Sequence, residues 1–196
     1  MRVITLTGPK RSGKNTLADM IDDELPDYVT LRQVGFADPL RWAGDAIGLP
    51  TAATRGHKDL PCAELGGHTG RDFLVAFGTK CVRGLCPTYW IDHMIRRLDA
   101  LEAENPASPV AVTDMRFSNE LDALTAWAAK PGTGRRLASL WVERPGANDD
   151  EILEPQLRAR CVVISNAGTL ADLWVRAKAV AEWASGGSGR RLGGPT

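Results

Sequence analysis

Gly8-Pro9-Lys10-Arg11-Ser12-Gly13-Lys14-Asn15-Thr16 stands between an apolar run, Arg2 to Thr7, and a helical pattern in which Leu17, Met20, Ile21 and Leu25 share one face. Glycines at 8 and 13 let the backbone curl so that successive N–H groups face one anion, and the helix N-terminus that follows adds partial positive charge. Lys14 supplies a mobile point charge for the β- and γ-phosphates. Strand, loop and helix in this order favour a phosphate loop over a glycine turn with an incidental lysine. The loop implies binding of a nucleoside triphosphate and leaves the acceptor open. Gly8, Lys10, Arg11, Ser12, Gly13, Lys14, Asn15 and Thr16 form the expected ATP-binding set. Asn15 occupies the place where the general GxxxxGK[ST] pattern carries a metal-ligating hydroxyl. Its carbonyl oxygen can meet magnesium directly or hold a metal-bound water, while Thr16 caps the helix or touches an α-phosphate.

Outward from the loop, β-rich apolar runs recur at Arg2 to Thr7, Tyr28 to Val34, Pro109 to Thr113, Leu137 to Val142 and Cys161 to Ser165, with helical patterns between them. Such alternation predicts an α/β fold with a parallel sheet covered on both faces. The first helix is predicted from Gly13 to Leu25, ended by Pro26. Asp38 before Pro39 reads as an N-cap followed by a first-turn proline. From Gly48 to Gly70 the periodicity gives way to glycine, proline and polar residues, the pattern of a long loop. Helices are expected over Gly70 to Leu85, through Trp90 to Leu101, over Ser118 to Ala129 and over Thr169 to Ala184, the last with Thr169 and Asp172 spaced as a capping box. The organisation expected is one domain over residues 1–184, with an acceptor-binding insertion at about 36–105, a lid at about 143–158 and a flexible tail at 185–196.

At 196 residues and 21.2 kDa the chain has the length of one ordinary domain. Glycine and proline make up about 16% of it, below the roughly 25–30% of low-complexity chains. With 24 basic and 24 acidic residues the formal charge is zero, which disfavours general coating of nucleic acid. No apolar stretch is long enough for a signal segment or a membrane span, so a cytoplasmic protein without membrane partners is expected. Cys62, Cys81, Cys86 and Cys161 form no CxxC pair and are expected as reduced thiols. Cys62 with His57 and His68 matches no zinc spacing.

Three further segments stand in order after the loop. They are Phe36-Ala37-Asp38-Pro39-Leu40-Arg41; Arg71 with Phe77-Gly78-Thr79, Arg83 and Trp90; and Asp114-Met115-Arg116-Phe117-Ser118-Asn119-Glu120. With the phosphate loop, and with Ser165-Asn166-Ala167-Gly168-Thr169 after the last strand, this set resembles the phage-type deoxynucleoside monophosphate kinases of the adenylate-kinase-like P-loop class. The resemblance spans about residues 3–175. It implies a three-layer fold with a five-stranded parallel sheet in the order 2-3-1-4-5, and transfer of the γ-phosphoryl of ATP to a deoxynucleoside 5′-monophosphate with magnesium as cofactor. It also implies small-molecule partners only, and a location in the host cytoplasm if the chain is phage-encoded; a homodimer is left open. It places Asp38 at the mouth of the acceptor site and Asn166 with the ATP-binding residues. The chain departs from the family at Asn15, where Asp is common, and at Leu74-Val75-Ala76, where a glutamine before the Gly-Thr is missing.

The chemistry requires cations that follow charge onto the transferring group. Arg41, Arg71 and Arg83 lie between the second and third strands, where an acceptor-binding region would be inserted, and guanidinium forks match phosphate oxygens. Arg71 and Arg83 are twelve residues apart, so on one continuous α-helix they would point about 120° apart. Either can equally be a solvated helix cation. Asp114 follows an apolar strand at the carboxyl edge of the sheet, a Walker-B-like position for holding magnesium, through water, or for orienting the acceptor. Arg116 is a phosphate or structural partner, and Asn119 and Glu120 equally suit a first helical turn. In the lid, Arg144, with Arg158 and Arg160 as alternatives, would close over the phosphates and exclude water. Of Trp42, Trp90, Trp127, Trp141, Trp174 and Trp183, most fall on helix faces as core; Trp90 alone is set apart as an acceptor contact. The catalytic set is therefore Lys14, Asp38, Asp114 and Arg144, and the acceptor set Asp38, Arg41, Arg71, Arg83, Trp90 and Arg116. Rival readings are a kinase of another small phosphorylated metabolite, such as phosphomevalonate, a nucleotide-gated binding module, and a polynucleotide end kinase.

Overall fold

Parallel strands covered on both faces call for apolar residues, and Val3, Ile4, Leu6, Val110, Ala111, Val112, Leu140 and Val142 supply them, each fully buried. The computed structural model describes residues 1–147, 154 and 156–187. β1 (Arg2–Thr7) is buried from Val3 onward. α1 (Lys14–Asp23), β2 (Arg32–Val34), α2 (Asp38–Ala46), α3 (Thr51–Thr54) and α4 (Gly70–Val75) follow, and α4 runs directly into a π-helical segment, Ala76–Arg83. After it come α5 (Tyr89–Glu104), β3 (Val110–Val112), α6 (Ser118–Ala128), β4 (Arg136–Glu143), α7 (Gln156–Ala159), β5 (Val162–Ser165) and α8 (Leu170–Ala184).

The five strands form one sheet in the order β2-β3-β1-β4-β5, every neighbouring pair parallel. β1 lies between β3 and β4, so the chain reverses its direction of strand addition beside it, the place where such sheets build ligand sites. Ile4, Leu6, Ala111, Leu140 and Val142 pack under α1 and α8 through Leu17, Ile21, Leu173, Ala177 and Val180. The opposite pleat carries Val3, Val110 and Val112, all fully buried. On α6, Leu121, Leu124 and Trp127 are buried, and Trp127 donates its indole N–H to Asp99 of α5 at 2.8 Å.

Met1–Gly35 and the chain from Ile95 onward form one compact unit, here the sheet unit; Phe36–Met94 forms a second, the helical unit. Among the described residues no helix is long and apolar enough to cross a membrane.

Several local expectations differ from the structure for identifiable reasons. The second strand begins at Arg32, not Tyr28, because the chain turns after Pro26 (Val29 N–H to the Pro26 carbonyl, 2.7 Å) and leaves Tyr28 88% exposed. Asp38 is not the cap of α2. Ala37 already has helical dihedrals and is the N-cap, so Asp38 is the first helical residue, and its carboxylate accepts from Arg41 at 2.6 Å. The stretch from Gly48 to Gly70 is not one open loop. It contains α3, a short 3₁₀ turn at Ala63–Leu65 and an isolated bridge between Pro61 and Thr69. At α8 the capping box is present, Thr169 and Asp172 exchanging bonds as their spacing predicts. All four cysteines are free thiols. In Cys161, burial pushes the thiol up to about 11.

Ahead of β4, Arg135 donates to Glu102 at 2.6 and 2.9 Å and to Asp99 at 2.8 Å, and its guanidinium lies 4.1 Å from the ring centre of Trp127. These bonds, Arg135 foremost, hold the Glu102 carboxyl below its ordinary value. A carboxylate depressed in this way stabilises the fold above its unfolded pKa and loses that contribution as pH falls through the folded one. Arg135→Met is expected to cost about 1–3 kcal/mol at neutral pH and to flatten the acid limb of the stability profile below about pH 4. Urea unfolding between pH 3 and 7 measures both.

Candidate functional site

The loop after β1 is held open by left-handed backbone at Gly8 (φ 127°), Arg11 (φ 66°) and Gly13 (φ 102°). A Cβ at Gly8 would lie 2.1 Å from the carbonyl oxygen of Val142 on β4, and one at Gly13 would lie 2.4 Å from Nδ2 of Asn166. Glycine is therefore required twice, for conformation and for space. Gly13 is the N-cap of α1 and no side chain caps that helix, so its first amides remain directed at the loop. Lys14 reaches back across the loop, its Nζ donating to the carbonyls of Gly8 at 2.8 Å and Pro9 at 2.7 Å. This fixes the ammonium over the mouth of the loop. Asn15 and Thr16 are exposed on the first turn, and Ser12 is buried.

Asn166, just past β5, donates from Nδ2 to the Ser12 carbonyl at 2.8 Å. In this geometry it is a brace on the loop backbone. Its own amide donates to the Glu143 carbonyl at 2.7 Å, so β4, β5 and the loop are tied at one sheet edge.

Asp114 lies two residues past β3 at the same carboxyl edge, half-buried. Its carboxylate occupies the space beside Gly35, where a Cβ would meet Oδ2 at 2.7 Å. The Thr113 amide is fixed by the Val34 carbonyl at 3.0 Å, and Thr7 Oγ1 at the end of β1 donates to the Met115 carbonyl at 2.8 Å. The strand ends on either side of Asp114 are thus pinned. Gly35 was not legible as a site residue in the sequence; a lone glycine after a short strand signals only a turn. Glu120 is 2% exposed and accepts from the amides of Arg116 at 2.8 Å and Phe117 at 3.1 Å, which makes it the first-turn residue of α6 that shapes the segment carrying Asp114 and Arg116.

Arg144 is exposed just beyond β4. Arg158 donates to Glu143 at 2.9 Å, which raises its pKa, and Arg160 to Asp122 of α6 at 2.6 Å. Both take part in surface ion pairs. Residues 148–153 and 155 of the 143–158 stretch, and 188–196 of the tail, lie outside the described residues.

In the helical unit, Arg41 pairs with Asp38, and Arg71 donates from Nε to Asp59 at 2.5 Å. Arg83 is half-buried at the end of the π-helical segment. That segment replaces the continuous α-helix predicted over Gly70 to Leu85, so the 120° separation of Arg71 and Arg83 does not apply. Trp90 is 7% exposed, its indole N–H donates to the Gly78 carbonyl at 2.9 Å, and its ring packs against Tyr89, Phe77 and His93. Trp42 and Trp174, read as core, are 50% and 38% exposed. Among the described residues no group of three or more His, Cys, Asp or Glu forms a metal cage.

The chain is 28% identical over 191 residues to a putative deoxynucleotide monophosphate kinase of Acanthamoeba polyphaga mimivirus, covering 89% of this chain and 93% of the relative. No protein-family model matches. Among solved structures, a sugar kinase from Janibacter aligns with TM-score 0.44 and 17% identity, over 90% of this chain and 91% of the other. A gluconokinase from Sinorhizobium meliloti aligns with TM-score 0.43 and 17% identity, over 93% of each chain.

Removal of the brace leaves the Ser12 carbonyl without its side-chain donor, at a cost of about 1 kcal/mol. Asn166→Ala is therefore expected to weaken binding of a non-hydrolysable ATP analogue about fivefold while moving the unfolding midpoint little. Isothermal titration alongside thermal melting provides the comparison.

Proposed function

We propose that this chain transfers the γ-phosphoryl group of ATP to a deoxynucleoside 5′-monophosphate. The observation that carries the reading is the loop itself, with Lys14 held over a concave run of backbone between β1 and α1. The similarity to the mimivirus protein supports a kinase function, and that relative's name suggests the acceptor.

Phosphoryl transfer of this kind needs positioning and charge, not a nucleophilic side chain. The amides of the loop and of the first turn of α1 cradle the β-phosphate, and Lys14 exchanges its carbonyl partners for β- and γ-oxygens, following the charge that moves onto the bridging oxygen. Arg41, Arg71 and Arg83 in the helical unit bind the acceptor phosphate, with Asp38 and Asp59 holding the forks of Arg41 and Arg71. Arg144 covers the phosphates and keeps water from acting as acceptor.

Magnesium fits the donor set. Mg²⁺ keeps several waters and takes one or two protein carboxylates beside phosphate oxygens, and the half-buried carboxylate of Asp114 at the sheet edge, with Asn15 on the first turn of α1, is a set of that kind. When bound, the ion neutralises charge on the β- and γ-oxygens. Asp114 and Asn15 would hold it directly or through water.

A panel of ribo- and deoxynucleoside monophosphates, with modified bases and phosphomevalonate included, scored by ADP release, tests the assignment. Turnover of deoxynucleoside monophosphates is expected; turnover of phosphomevalonate alone, or nucleotide binding without acceptor-dependent ADP, contradicts it. On the active acceptor, Lys14→Ala is expected to lower kcat by at least about 100-fold, the loss typical of one preorganised donor, with an unchanged circular dichroism spectrum.

Asn15 offers a neutral amide where a carboxylate would bind magnesium more tightly. Asn15→Asp is expected to lower the magnesium concentration for half-maximal rate and Asp114→Ala to raise it or abolish turnover. Titrations at saturating ATP decide this, and superimposable curves for the wild type and Asn15→Asp would remove the amide from the metal's surroundings.

A further inference from the structure

Eight consecutive residues, Ala76–Arg83, are wound as a π-helix, and at its end the amide of Gly84 reaches the carbonyl of Thr79, five residues back. Such winding is uncommon, occurs mostly as single turns and is enriched at functional sites. It has to be supported from outside, because nothing in Phe77-Gly78-Thr79-Lys80-Cys81-Val82 prevents an ordinary α-helix. Two supports converge on Gly78. The indole N–H of Trp90, which is buried, donates to its carbonyl at 2.9 Å. Leu40 of α2 lies against its α-carbon so closely that a Cβ would meet Cδ1 at 2.6 Å. Phe77 beside it stacks on Phe73 with ring centres 5.8 Å apart and planes 5° from parallel, and touches the Trp90 ring on its other side.

The winding changes where the two arginines point. With four α-helical steps of about 100° from Arg71 to Val75 and eight π-helical steps of about 82° from Val75 to Arg83, roughly 4.4 residues to the turn, the two arginines come to within about 30° of one face, where a continuous α-helix would set them about 120° apart. We propose that Trp90 is a positioning residue: its indole N–H on the Gly78 carbonyl holds the π winding that brings Arg83 round to the face of Arg71, so that the two act together on the acceptor phosphate. This rests on the reading of Arg71 and Arg83 as acceptor ligands given above. In this proposal Trp90 acts through Arg83 and not by contact with the acceptor.

The test compares Trp90→Phe, which keeps an aromatic ring and loses the N–H, with Arg83→Ala and the double variant in the full chain. Three quantities are measured: KM for the monophosphate accepted in the panel, KM for ATP, and amide hydrogen exchange across residues 76–83. Trp90→Phe is expected to raise the acceptor KM about fivefold, in keeping with one lost buried hydrogen bond, to leave the ATP KM within about twofold, and to speed exchange in the π segment. In the Arg83→Ala background it should add no further rise, since both changes remove the same contact. Unchanged exchange, an equal rise in the ATP KM, or additive effects of the two substitutions would each overturn the proposal. If Trp90→Phe does not fold, Gly78→Ala disturbs the same point from the other side. It should give the same acceptor-specific loss, relieved by Leu40→Val, and an unaltered acceptor KM in Gly78→Ala would overturn the proposal. A wild-type chain inactive on every monophosphate defeats the kinase reading instead, and hydrogen exchange, which needs no substrate, still decides whether Trp90 holds the winding.

Discussion

The approach of Gly8 to the carbonyl of Val142 sets the rest of the site. β1 and β4 pair in register up to Thr7 and Trp141, so the next residue of each strand meets at the carboxyl edge, and at 2.1 Å from an added Cβ there is room for no side chain. The chain leaving β1 must turn away from the sheet at that point with positive φ. Once it does, the carbonyls of Gly8 and Pro9 face inward, where Lys14 donates to both from the first turn of α1. The second contact, Gly13 against Asn166, closes the loop from the β5 side. The curl of the loop is therefore a consequence of strand register. A loop of the same composition on a free hairpin would have no wall to curl against.

What could be read from the chain follows from the range of the interactions responsible. The loop, the strand before it and α1 are decided within about twenty residues by periodicity and by glycine placement, and they stand where the sequence puts them, α1 beginning one residue later because Gly13 is left-handed. The capping box of Thr169 and Asp172 is equally local. Strand order is not: residues far apart in the chain must pair, and only the likeness to known kinases suggested the order observed. The role of Asp38 could not be read either. An aspartate before proline has the composition of a cap, but the choice between capping and pairing with Arg41 depends on whether Ala37 is already helical, a matter of how the chain leaves β2.

The helical unit was the least legible part, and its interactions show why. Its helices are short and meet through small residues and aromatic rings, as at Gly44 against Thr54 and Phe73, and Gly78 against Leu40. Weak local propensity there is overruled by packing. The π segment is the clearest case, since nothing in its own residues distinguishes it from an α-helix. The information sits twelve residues on, in Trp90.

The charge arrangement bears on the proposed transfer. With no net charge, the chain offers a polyanion no long-range attraction, so in the proposed reaction recognition rests on cations held in place. Arg41 and Arg71 are each held by a carboxylate on their own unit, and Lys14 by backbone carbonyls. Ion pairs of this exposure contribute little stability. In the proposed reaction their worth lies in orientation. A guanidinium has two edges, and a carboxylate on one of them fixes the plane in which the other meets a phosphate. Lys14, a point charge without a plane, needs only to be kept near, and weak acceptors that a phosphate can displace are the right partners for it.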